Sequence, residues 1–177
     1  MKPIKKIAFS AALSAFALVA FMLENLFPPI FIVGGRIGIA NFFILVAGII
    51  CGFWYGLTAL TVKAVLGSIL SGNAGAILYS LPAGAAAYTA EMLIIIFAPK
   101  ISLIAASVLG GTINACLQNA AFCLITATPE YLIYMPYLAL IGTAGGAIVG
   151  AAVYLTVKRL PEKFFYSTCK EQKIERT

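Results

Sequence analysis

In "FMLENLFPPIFIVGGRIGIANFF", residues 21–43, a single acid, Glu24, and a single base, Arg36, flank a segment holding two prolines and two glycines. Opposite charges on either side of such a segment can pair to close it, or can bind opposite charges on a solute. The segment is expected to act as a lid, with Arg36 as the ligand contact if the solute is anionic. Further on, Lys63 and Glu91 fall at similar depth inside apolar runs, where an ionisable group costs roughly 2.5–3.5 kcal/mol on insertion scales. Three readings of these two stay open. They form a buried salt bridge, or Lys63 is the floor charge of a ligand cavity with Glu91 as counter-ion or latch, or Lys63 snorkels to an interface. Amides and phenols make up the third set: Asn41, Asn73, Tyr79, Asn114, Gln118, Asn119 and Tyr134. Asn114 and Gln118 stand at i and i+4 on one helix face. Apolar walls with a few orienting donors and acceptors describe a small-molecule pocket. Taken singly, the tyrosines also suit an interfacial aromatic belt, and the amides suit ties between helices.

Other chemistries lack their residues. The sequence contains no Asp and no His, so it has no HExxH, no Asp-rich Mg²⁺ site and no Ser/His/Asp triad; it also has no GxxxxGK[ST] loop. The expectation is a protein that is not an enzyme, with no catalytic residue, no metal and no cofactor. Any ATP-driven work must come from partners. The net charge of +6 lies beside apolar segments without aromatic interleaving, which speaks against nucleic acid as a partner. Cys51, Cys116, Cys123 and Cys169 form no CxxC pair and read as small hydrophobes.

The elements that must position these groups follow from composition. With 62% hydrophobic and 10% charged residues and a mean hydropathy of +1.03, the chain cannot cover a water-facing surface. It reads as an all-α integral membrane protein in the lipid bilayer, with six transmembrane helices at about 7–27, 38–51, 54–70, 74–97, 101–126 and 132–157. These form one domain, 1–160, followed by a short basic tail, 161–177. The start imitates a signal peptide, but an apolar run of about 20 residues favours a retained helix. Lys2, Lys5 and Lys6 precede the first run, and Lys158, Arg159 and Lys163 follow the last. Both termini are therefore expected on the cytoplasmic side of a multi-pass cell-membrane protein. Small residues recur at packing distance: Ala8 with Ala12, Ala11 with Ala15, and Gly142, Gly146 and Gly150.

The AxxxA start, the six segments and the Gly-rich second and third helices resemble the substrate-binding S component of energy-coupling factor (ECF) transporters. More closely, "GRIGIANFFILVAGIICGFWYGLTALTVKAVLGSILSG", "LYSLPAGAAAY" and "GGTINACLQNAAF" resemble the Gx transporter family, long labelled heptaprenyl diphosphate synthase component I. The likeness covers about residues 8–158. It implies capture of a vitamin-like or precursor solute in an outer-half cavity, for uptake powered by a transmembrane T component and two cytoplasmic ATPases. It also implies that Ala8, Ala11, Ala12 and Ala15 contact the T component. The alternatives are a membrane accessory subunit of isoprenoid or quinone synthesis, and a solitary secondary transporter coupled through Glu24, Glu91 or Lys63.

Overall fold

The computed structural model describes residues 3–26, 38–98 and 100–160. These fold into six α-helices: α1 (Pro3–Leu26), α2 (Ile39–Cys51), α3 (Phe53–Leu70), α4 (Ile77–Phe97), α5 (Leu103–Thr126) and α6 (Met135–Arg159). Short 3-10 turns at Ala74–Ala76 and Pro129–Tyr134 lead into α4 and α6. No strand is present among the described residues. The tail 161–177, the segment 27–37 with Arg36, and Cys169 lie outside the described residues.

Contacts between partners fix the helix directions. Gly48 meets Gly56 across α2 and α3, and Lys63 bonds Asn41, so the two helices are antiparallel. Likewise Tyr88 meets Gly56 and Gly84 meets Leu60 across α3 and α4, while Gly111, Ser107 and Ile104 meet Gly142, Gly146 and Gly150 across α5 and α6. Glu91 with Gly110 and Tyr79 with Phe122 set α4 against α5. The result is an up-and-down bundle in which the start of α1 and the end of α6 lie at one end. We call this end proximal, and the opposite end, where α1 stops and α2 begins, distal.

Five helices, α1 and α3 to α6, are long and apolar enough to cross a membrane. The sequence suggests six; the exception is α2, whose 13 residues reach about 20 Å against a hydrocarbon core of about 30 Å. It is instead wrapped by protein, with nine residues buried, from Ala40 and Ile44 through to Cys51. Its apolar side chains face Leu13, Leu60, Tyr88, Met92 and Val153 in the main core. Burial against neighbours and burial in lipid select the same residue types, so the sequence pattern reads alike in both cases.

Gly52, alone between α2 and α3, has φ 119°, a region that L side chains avoid, and lets the chain reverse in one residue. Just beyond it, the buried Tyr88 of α4 donates its hydroxyl to the Phe53 carbonyl at 2.9 Å. Side chains at Gly48 or Gly56 would collide with this phenol. The stripe Gly142, Gly146 and Gly150 packs α6 directly on the α5 backbone, as small-residue faces do in membranes. The Thr112 and Thr143 hydroxyls, 2.8 Å apart, close the seam.

Candidate functional site

An enclosed cavity of about 250 Å³ runs down the middle of the bundle. Its spine is one face of α5. Ser107, Gly110, Gly111, Asn114, Ala115, Gln118, Asn119 and Phe122 follow one another at helical spacing, covering about 22 Å along the axis. The sequence expectation of an outer-half pocket is therefore too shallow, because the lining continues toward the proximal end as far as Ser107.

At the distal rim Glu24 Oε1 accepts a hydrogen bond from the Ile39 amide at 2.7 Å. Ile39 is the first residue of α2, whose N-cap Gly38 offers no side-chain cap. The acid thus caps a helix whose orphan amides carry partial positive charge. Expected pairing of Glu24 with Arg36 concerns a residue outside the described ones; among them, Glu24 staples α1 to α2 while lining the cavity. Midway, Lys63 Nζ donates to Asn41 Oδ1 at 3.1 Å and lies 5.5 Å from the Phe21 ring centre.

The expected Lys63–Glu91 ion pair does not form. Counted from the proximal ends of α3 and α4, Lys63 lies about 15 Å up and Glu91 about 9 Å, roughly a helical turn apart. Glu91 instead turns toward α5. The Ser107 hydroxyl is beside its carboxyl, and a Cβ at Gly110 would stand 2.9 Å from its Oε2. The residue is 9% exposed, and its Oε1 is buried with no hydrogen-bond partner.

Of the remaining expected site residues, Asn73, Tyr79, Asn114, Gln118 and Asn119 line the cavity. Asn119 is committed to the fold: its Nδ2 donates to the Tyr131 carbonyl at 3.2 Å, tying α5 to the turn before α6. Asn114 and Gln118 make no side-chain hydrogen bond among the described residues, so their amides keep donors and acceptors for the cavity. Tyr134 is not part of the wall; its ring leans on Tyr131, 6.0 Å between centres. The wall contains Tyr131 instead, and Tyr79, Phe122 and Tyr131 contact edge to face at 5.4 and 5.6 Å across the distal mouth. Ser107 and Tyr88 were missed by sequence reasoning. Only the i, i+3/i+4 run of small and polar residues on α5 could have pointed to the first.

Ala8, Ala11, Ala12 and Ala15 all face outward from α1, while Ser10, Leu13, Ser14 and Ala17 face inward. Among the described residues no three His, Cys, Asp or Glu side chains gather as metal ligands would.

The family model described as heptaprenyl diphosphate synthase component I matches residues 13–156. The chain belongs to this family. The matched span includes every described cavity residue. The description names a synthase component and says nothing of transport, of a T component or of ATPases. No curated protein and no solved structure matches the chain. The protein is a multi-helix membrane protein whose cavity is lined by both apolar and polar residues along its length.

Proposed function

We propose that this protein captures a small water-soluble solute from the distal side of the membrane, as the binding component of an importer energised by other subunits. The observation that carries the reading is the set of polar groups kept for the cavity in an otherwise apolar bundle. Asn114 and Gln118 have unused amides, and Glu91 has an unpartnered oxygen. Desolvated polar groups are costly without partners, and a bound solute supplies them. A 250 Å³ space suits a metabolite-sized ligand. Charge distribution supports the orientation. Lys5, Lys6, Lys100, Lys158 and Arg159 all stand at the proximal end, whereas Glu24 and Glu130 stand at the distal one, so the proximal end is assigned to the cytoplasm of a cell-membrane protein. The outward alanine face of α1 suits close approach of a partner helix, which the ECF resemblance makes a T component working with two ATPases.

A second reading is favoured by the family description and by the length of the cavity. In it the protein is a membrane subunit of polyprenyl diphosphate synthesis, holding a prenyl chain along the α5 face for a soluble synthase. The polar groups along that face, and two carboxylates against one ammonium in the described lining, suit a prenyl chain or a diphosphate less well.

Mass spectrometry of small molecules released from the gently purified protein separates the two. The expected result is a stoichiometric water-soluble metabolite, whose affinity falls about ten-fold or more in an Asn114→Ala, Gln118→Ala variant, the loss of one to two hydrogen bonds. A polyprenyl lipid retained by both proteins overturns capture in favour of the synthase subunit.

A further inference from the structure

The deep end of the cavity is built unlike the rest of it. Glu91 projects from α4 into the cavity toward α5, where the residue facing its carboxyl is Gly110. Glycine at 110 is required by the acid itself, because a Cβ there would press on the carboxyl. At this one position α5 carries no side chain, which leaves room for a carboxyl group placed in the interior. Hydrophobic packing alone gives no reason for such an arrangement, since an alanine or leucine at position 91 would fill the space at no desolvation cost.

Nor is the carboxyl satisfied by the protein. Ser107 stands beside it, but Oε1 has no partner, and no ion pair joins Glu91 to any cation among the described residues. A buried carboxyl accepts up to four hydrogen bonds when ionised, so most of its capacity is unused. Rotation about the last side-chain bond exchanges its oxygens and meets only a broad, shallow barrier, so either can be turned to a ligand. Tyr88, three residues earlier on the same side of α4, lines the same space, with its ring stacked on Phe53.

Resting on the solute-capture reading, we propose that this recess recognises a basic nitrogen on the solute, an ammonium, amidinium or protonated ring nitrogen, with Glu91 as its counter-ion. A nitrogen group of this kind supplies both the missing hydrogen-bond donor and the opposite charge. The charge of the described lining, two carboxylates against the single ammonium of Lys63, points the same way. The sequence reading of an anionic or zwitterionic solute rests partly on Arg36, which lies outside the described residues.

The test uses the purified full-length protein in detergent, freed of its own solute. Its thermal unfolding is followed with benzylamine, tyramine and 2-phenylethylamine, each against its N-acetyl derivative, which keeps the aromatic skeleton and removes the basic amine. The wild type is expected to be protected by at least one amine at a concentration about ten-fold or more below its acetylated form, and Glu91→Gln to lose that preference. Glu91→Asp, which keeps the charge on a shorter stem, is expected to keep the preference with weaker binding, showing that the Gln variant lost recognition and not its fold. Equal protection by amine and acetyl forms, failure of every amine to protect, or a released solute with no basic nitrogen overturns the assignment while leaving capture intact. Release of polyprenyl lipid alone overturns capture and the assignment together.

Discussion

A single carboxylate can have two roles, and geometry separates them at Glu24 and Glu91. Glu24 is half-buried and hydrogen-bonded to the Ile39 amide at 2.7 Å, so its main role is to hold the start of α2. Replacing Glu24 with Ala is expected to cost about 1 kcal/mol, the usual worth of a helix cap, read as a lower unfolding temperature. Glu24→Gln keeps an acceptor and loses less; equal stability of wild type and the Ala variant would show that the cap is idle. Glu91 has no such partner, and its removal is expected to affect binding. The sequence singled out both acids as unusual but could not distinguish them. A helix cap depends on which amide lies within 3 Å, and residues 24 and 39 are separated by a segment whose path no periodicity describes.

Among the elements, α5 does most to shape the cavity, and α6, which also lines it, lies close beside α5. Gly146 meets the Ser107 carbonyl and the Val108 Cα directly. In an ordinary helix Gly→Ala gains about 1 kcal/mol, but here the methyl meets backbone that cannot yield, and overpacking costs roughly 1–3 kcal/mol. Gly146→Ala is therefore expected to destabilise the protein in thermal unfolding; a gain would mean that the seam is looser than its geometry. Helix existence was legible from hydropathy, and the glycine stripe of α6 from its spacing. The shortness of α2 was legible in its bounds, but its cover by protein was not, because a run such as "ILVAGIIC" is apolar whether lipid or protein covers it. The Asn114 and Gln118 pair was legible from its i, i+4 spacing, whereas Ser107 and Gly110 were not, since small residues on an apolar helix read as packing.

For the whole molecule, the cavity lies inside the bundle, while Ala8 and Ala12 face away from it on α1. Under the importer reading, an Ala8→Leu, Ala12→Leu variant is expected to hold its solute at wild-type stoichiometry by mass spectrometry, while cellular uptake of that solute falls to background. Loss of both would show that the α1 face serves the fold, and loss of neither would remove it as a docking surface. The one-residue joint at Gly52 also bears on how the chain enters the bilayer. With no polar loop between α2 and α3, the ribosome delivers them to the insertion machinery as one continuous apolar stretch, and the shorter helix has no independent foothold in lipid. The pair must then partition as a unit, so a nascent chain halted near Cys51 holds a helix that its partner has not yet anchored.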